Sequence, residues 1–226
     1  IGALIGALTE DTRLVMLANP NNPTGVVTRS IAIERLLAAL PVGAVLVLDE
    51  AYYEFAVGVE GYPDSLAWLR AGLPVVVTRT FSKSYGLAGV RIGYAFAPLE
   101  VADAYARVRE PFSVSSLALV AGLAALEDDE HLAATLAANR GGMERIVSWM
   151  TSHGFETIES HANFVCVEVP GEADDVASAL LHKGVIVRSG AGLGMPKHLR
   201  VSIGRPEEVE RFLAAFERVS ETMTTP

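Results

Sequence analysis

The sequence predicts an α/β chain: a mostly parallel sheet in its first half, followed by a smaller α+β domain. Three observations carry this reading. Over the first half, short apolar runs alternate with segments of helical spacing, the order expected of strand–helix–strand units. The run at 44–48 is continuously apolar rather than alternating, as a parallel strand covered on both faces would be. Beyond residue 128 a long helix leads into short strands mixed with two further helices, which suits a smaller α+β unit.

The elements follow in order. Ile1-Gly2-Ala3-Leu4 is repeated as Ile5-Gly6-Ala7-Leu8 and reads as the end of a helix. Residues 13–18 form a short apolar strand, closed by the turn cluster Asn19-Pro20-Asn21-Asn22-Pro23-Thr24-Gly25. Residues 31–40 have helical spacing, with Thr28 or Ser30 as N-cap and Pro41 as the stop. The strand at 44–48 runs into Asp49-Glu50, 65–71 is a short helix, and 74–77 and 90–97 are strands flanking a polar loop. Residues 98–109 are helical up to Pro111, and 115–126 and 129–150 are two further helices. Gly141-Gly142 weakens the second of these by roughly 1 kcal/mol per glycine. Strands at 155–158, 163–169, 185–188 and 199–203, with helices at 173–183 and 206–219, complete the second domain. The expected domains are therefore 1–128 and 129–226.

Composition narrows the function classes. Half of the 226 residues are hydrophobic and a fifth are charged, as in an ordinary globular protein. The net charge of −9 and the absence of any Lys/Arg run argue against a nucleic-acid partner. No apolar run is long enough to span a bilayer, and no basic segment precedes the first apolar residues as in a signal peptide. The lone Cys166 can form no internal disulfide; it suits a reducing, cytoplasmic compartment and a place in the core.

The chemistry gathers around Thr80-Phe81-Ser82-Lys83, with Arg91 eight residues on. A lysine at the exit of a buried strand is a poor packing choice, because its ammonium is costly to desolvate. It becomes a good one if the amine serves as a Schiff-base nucleophile. Thr80, Ser82 and Arg91 offer the hydroxyls and planar fork that suit a phosphate, and a lysine beside a phosphate site suggests pyridoxal phosphate. Asp49 ends an apolar strand and would pair with a protonated pyridine nitrogen. Tyr52 and Asn22 could donate to the ring's phenolate oxygen, and the small Ala51 would let the ring lie against the backbone. The Asn/Pro cluster, Asp49 and Lys83 each follow the carboxyl end of an expected strand, where ligands bind in such sheets. Taken singly, the same residues have structural alternatives: a solvated loop lysine, a helix cap at Asp49, a core edge at Tyr52, a turn at Asn22.

Taken in order, Asn19-Pro-Asn-Asn-Pro-Thr-Gly25, Asp49-Glu-Ala-Tyr52, Thr80-Phe-Ser-Lys83 and Gly86-Leu-Ala-Gly-Val-Arg-Ile-Gly93 resemble the fold-type I pyridoxal-phosphate aminotransferases, and within them the histidinol-phosphate branch. The resemblance implies the large domain of the aspartate-aminotransferase-like fold, lacking its N-terminal part, plus the small C-terminal domain. It implies Lys83 as the Schiff-base lysine, Asp49 at the pyridine nitrogen, Tyr52 and Asn22 at the phenolate oxygen, and Thr80, Ser82 and Arg91 at the cofactor phosphate. It also implies a cis Asn22–Pro23 bond. In the second domain, Leu199-Arg200-Val-Ser-Ile-Gly204 matches the family's substrate-carboxylate arginine, Val185-Ile-Val-Arg188 places a second arginine, and Asn163 matches a rim asparagine or simply starts a strand. The expected reaction moves an amino group between histidinol phosphate, or an aromatic amino acid, and a 2-oxoacid such as 2-oxoglutarate, in a homodimer. A phosphothreonine decarboxylase-like enzyme and an inactive truncated product share the motifs and stand as alternatives.

Overall fold

The computed structural model describes residues 1–224, which divide into two compact units. The first comprises Ile1–Asn21 and Val27–Leu132. The second comprises Asn22–Val26 together with the chain from Ala133 onward.

The first unit is built on a four-stranded sheet of β1 (Leu14–Ala18), β2 (Val45–Asp49), β3 (Val75–Thr80) and β4 (Gly93–Phe96), in that order across the sheet. β1, β2 and β3 are parallel and β4 runs antiparallel to β3, so the sheet is mostly parallel, as the sequence predicts. Helix α1 (Gly2–Gly6) precedes β1, α2 (Ser30–Ala39) joins β1 to β2, and α3 (Tyr53–Ala56) and α4 (Ser65–Arg70) join β2 to β3.

The strand period of two sorts the sheet's side chains. Val15, Leu17, Leu46, Leu48, Val75 and Val77 share one face and pack against Leu4 and Ile5 of α1, Ile33, Leu36 and Leu37 of α2, and Trp68 of α4. Leu36 is wholly buried there, and truncating such a leucine to alanine costs about 2–5 kcal/mol. The opposite face carries Leu14 and Met16, 55% and 71% exposed. The crossovers of this unit therefore cover one face of the sheet and leave apolar side chains on the other. Helices α5 (Leu99–Val108) and α6 (Ser116–Leu126) follow, the latter capped by Ser115, whose Oγ accepts from Ala118 N at 3.1 Å.

Helix α7 (Asp129–Ser152) contains the division between the units, and Asp128 Oδ1 accepts from His131 N at its start. In the second unit, β5 (Thr157–Ile158), β6 (Phe164–Glu168), β8 (His198–Ser202) and β7 (Arg188–Ser189) form an antiparallel sheet in that spatial order. Helices α8 (Ala173–His182) and α9 (Pro206–Thr224) complete it. Val165 and Val167 of β6 face a core of Ile146, Met150, Val176, Leu180, Phe212 and Phe216.

Several expectations are corrected. The cis peptide bond is Asn19–Pro20, not Asn22–Pro23. The N-cap of α2 is Arg29, without a side-chain cap; Ser30 is already helical, and its hydroxyl donates to Glu34 Oε1 at 2.7 Å. The strand expected at 185–188 pairs only at Arg188–Ser189. The long helix expected at 129–150 is present as α7, and Gly142 in it has a packing reason: a Cβ there would sit 2.5 Å from Ile203 Cγ2.

Candidate functional site

In the first unit, the register places Ala18, Asp49 and Thr78 side by side at the carboxyl edge of the parallel strands. Asp49 ends β2 with an exposed side chain. Its Oδ1 accepts from Ala51 N at 3.0 Å and from Thr78 Oγ1 at 3.4 Å, while Oδ2 has no hydrogen bond among the described residues. One oxygen thus caps the turn into α3 and the other is open to a cation. Tyr52 is buried at the head of α3.

Lys83 lies in the loop after β3, half-buried, with Nζ 5.3 Å from the centroid of the Tyr52 ring. It makes no ion pair among the described residues. Lys197, in contrast, is paired with Glu172 and Lys183 caps α8 at the far end of the sequence. Thr80 Oγ1 accepts from Ser82 N at 3.0 Å, which bends the chain out of β3. Arg91 has a left-handed backbone (φ 60°, ψ 55°) and an exposed side chain held by Nη1 to Ala88 O at 2.8 Å. Thr80, Ser82, Lys83, Asp49, Ala51 and Tyr52 thus fall on two adjacent loops of one unit, with Arg91 entering β4.

Beneath this edge lies a buried polar layer that the sequence reading missed. Glu50 has no exposed area and meets Arg79 through Oε2, at 2.8 Å to Nη2 and 2.9 Å to Nε. The Arg79 guanidinium lies 3.3 Å from the centroid of Tyr53. Burial pushes the Glu50 carboxyl above its ordinary value, against the pull of the Ser65 hydroxyl and of Arg79. Burial alone would lower Arg79, but the charge and hydrogen bond of Glu50 reverse this and raise it. Glu50 Oε1 and Ser65 Oγ are both buried without a well-formed hydrogen bond. Glu54 of α3 is likewise raised by burial and accepts from Ser84 Oγ at 2.9 Å. The available signal was the single cation at the end of an apolar strand, Arg79, on the strand next to a second carboxylate beside Asp49.

The second unit holds the remaining expected residues. Its segment Asn22–Val26 packs on β6: Cys166 Sγ donates to Pro23 O at 3.0 Å, His161 N donates to Gly25 O at 2.9 Å, and a Cβ on Gly25 would collide with Ser160. Burial pushes the Cys166 thiol up to about 11. Across the sheet, Cys166, Arg200 and Arg188 are direct register partners on β6, β8 and β7. Opposed residues share a face, so the two arginines are cross-strand neighbours of like charge, a destabilising pair unless an anion lies between them.

Arg200 Nη1 donates to Asn22 Oδ1 at 2.6 Å, and its guanidinium lies 4.9 Å from the Phe164 ring. Its Nε is buried without a partner. An arginine only donates, so the Asn22 oxygen faces it and the amide nitrogen remains a donor. Asn163 is half-buried just before β6, with its carbonyl accepting from Ile203 N at 2.9 Å.

These donor sets fit an aldehyde-bearing phosphate cofactor and a substrate anion. The first unit offers an unpaired amine, an open carboxylate oxygen and an exposed guanidinium. The second offers an orphaned buried N–H on one of two facing arginines.

Residues 1–216 match the profile of the family described as aminotransferase class I and II. Histidinol-phosphate aminotransferase 1 of Nitrosococcus oceani is 49% identical over 219 residues, covering 97% of this chain and 59% of the relative. Histidinol-phosphate aminotransferase 2 of Pseudomonas aeruginosa is 48% identical over 217 residues, 96% of this chain and 58% of the relative. Among solved structures, the histidinol-phosphate aminotransferase of Sinorhizobium meliloti in complex with pyridoxal-5'-phosphate superposes with a TM-score of 0.84 at 31% identity, over 98% of this chain and 60% of that one. The aspartate aminotransferase of Thermus thermophilus with maleate superposes with a TM-score of 0.83 at 26% identity, over 96% of this chain and 59% of that one. The chain therefore spans about three fifths of the length of the relatives it matches.

Proposed function

We propose, for a chain that belongs to the class I and II aminotransferase family, that it carries out amino-group transfer between histidinol phosphate, or an aromatic amino acid, and a 2-oxoacid such as 2-oxoglutarate. The observation that carries this is Lys83: one of three lysines in the chain, unpaired, on the loop after β3 in the same unit as Asp49 and Tyr52. When bound, pyridoxal phosphate supplies an electron sink for the bonds at the substrate's Cα.

The protein's own groups supply the rest. The Lys83 amine would hold the cofactor and, once released from it by the substrate's amine, would carry a proton to and from the substrate's Cα. The open oxygen of Asp49 keeps the pyridine nitrogen protonated. The Tyr52 hydroxyl and the Asn22 amide nitrogen donate to the ring oxygen, and Ala51 leaves room for the ring. Thr80, Ser82 and Arg91 bind the phosphate through hydroxyls and a planar fork. Arg200 binds the substrate carboxylate, a role its orphaned Nε supports. Arg188, its register partner, adds the second positive charge that a phosphate monoester or dicarboxylate needs, and Asn163 contributes at the rim.

The protein works as a cytoplasmic homodimer in this reading. Supporting association, α6 leaves Leu117 80% and Val120 69% exposed. No described helix is long and apolar enough to cross a membrane.

The test is borohydride reduction of the protein incubated with pyridoxal phosphate, followed by peptide mapping. The pyridoxyl label is expected on Lys83; a label on Lys183 or Lys197 overturns the assignment. Transfer of the amino group to 2-oxoglutarate, rather than release of carbon dioxide, separates this reaction from a decarboxylase.

A further inference from the structure

Glu54 lies two residues beyond Tyr52, in the single turn of α3, and Ser84 directly follows Lys83. Ser84 is wholly buried, and its hydroxyl donates to Glu54 Oε2 at 2.9 Å. The two segments joined here are both irregular: residues 81–87 form a loop, and 50–52 form the turn before α3. Each is tied to the sheet at its first residue, Glu50 N to Thr78 O at 2.9 Å and Phe81 N to Ile92 O at 3.3 Å, and the strand register of β3 ends at Thr80.

The two groups that these segments present, the Tyr52 ring and Lys83 Nζ, are 5.3 Å apart. A lysine has four rotatable side-chain bonds, so the direction of its amine depends on how firmly its backbone is anchored. The Glu54–Ser84 bond supplies that anchor one residue from Lys83 and two from Tyr52. A buried serine with a charged acceptor is also a bond of the stronger kind, and its removal leaves a desolvated carboxylate with only the bond from its own backbone N–H. Burial raises the Glu54 carboxyl, which the Ser84 hydroxyl counters, so the bond is integral to the carboxylate's environment. Among the described residues, no hydrogen bond or ion pair joins the Glu54 carboxylate to a group assigned to cofactor or substrate.

We propose that Glu54 is a positioning residue for Lys83: through the hydroxyl of Ser84 it ties the lysine loop to the turn that carries Tyr52 and so fixes the direction of the Lys83 amine. This rests on the assignment of Lys83 as the cofactor-binding amine.

The test is a double-mutant cycle in the holoenzyme with Glu54→Ala, Ser84→Ala and the pair. Each single change is expected to lower kcat by about tenfold or more, with KM within about twofold, and the double variant to be no worse than the poorer single. Glu54→Gln retains an oxygen acceptor for the Ser84 hydroxyl and is expected to restore most of the loss. A second readout needs no turnover. In cofactor-free protein, acetic anhydride labelling of Lys83, measured by mass spectrometry against Lys183 and Lys197 as internal references, is expected to change by about threefold or more in both single variants.

Losses that add in the double variant, or Lys83 labelling that matches wild type, overturn the positioning role. Should Glu54→Ala not fold, Ser84→Ala and Glu54→Gln decide the same question. A pyridoxyl label found on another lysine overturns the assignment and this role with it. A label on Lys83 together with an additive cycle overturns the positioning role alone.

Discussion

Arg79→Met perturbs the buried layer under the candidate site at one atom group. Methionine keeps much of the apolar stem and removes the cation. In the native protein the Glu50 side chain has no exposed area, that of Arg79 is 9% exposed, and two nitrogens of the guanidinium meet one carboxylate oxygen. Breaking such a pair at one end costs about 3–5 kcal/mol, because the surviving charge is left desolvated. Loss of the guanidinium stacked 3.3 Å from the Tyr53 ring contributes on the order of 1 kcal/mol of this. The pH dependence has a definite sign. Burial already holds the Glu50 carboxyl above its unfolded value of 4.5, and removing Arg79 takes away a group that lowers it. The folded variant then binds a proton more tightly than the unfolded chain does. Its stability is fullest below 4.5 and falls as pH rises toward the elevated folded value, so the deficit against wild type grows from acid to neutral pH. Urea unfolding at about pH 5 and about pH 8 measures both effects. The double change Arg79→Met with Glu50→Gln removes both charges and is expected to recover at least about half of the loss at neutral pH. A deficit under about 1 kcal/mol, or one that does not vary with pH, would show that the pair is not the buried contact described.

Three further outcomes are expected. Asp49→Asn should lower kcat by about 10²–10³ with a much smaller loss of cofactor affinity, since the carboxylate–pyridinium attraction is about 4 kcal/mol at ~4 Å and an effective dielectric of ~20; unchanged turnover would leave Asp49 as the turn cap that its bond from Ala51 N makes it. Arg200→Ala should impair both half-reactions, whereas Arg188→Ala should impair phosphorylated and dicarboxylic substrates about tenfold more than phenylalanine; equal losses across substrates would refute a site for a dianion. The 226-residue chain should self-associate in sedimentation velocity, because Met16, Leu117, Val120 and Leu123 are each more than half exposed; a monodisperse monomer would sink that expectation.

Much of the fold was legible because the relevant signals are local. The continuous apolar run into Asp49 is a parallel strand, with Leu46 and Leu48 wholly buried on the face the helices cover; the second covered face that the run implies is not formed by the described residues. Pro41 lies just beyond α2, where a residue with no N–H and a fixed φ stops a helix. Failures fell where the deciding partner was distant in sequence. The short pairing of β7 depends on β8, ten residues on, and the use of Gly142 in α7 depends on Ile203, against which it packs. The choice of cis bond, Asn19–Pro20 rather than Asn22–Pro23, lies in a turn cluster whose composition alone does not distinguish its prolines.

By itself, the sequence determined the strand–helix alternation, the order of the motifs and the presence of a lysine, an aspartate and a set of arginines suited to a phosphate-bearing cofactor and an anionic substrate. These follow from residue type and spacing along one chain. Only the tertiary structure decided that Arg188 stands opposite Arg200 in the sheet, that the oxygen of Asn22 faces Arg200, that Glu50 is buried against Arg79, and that half-buried Glu54 meets Ser84. Each of those depends on register or on burial. A one-residue slip would turn every side chain of a strand to its other face, and a carboxylate's charge state depends on which neighbours replace its water.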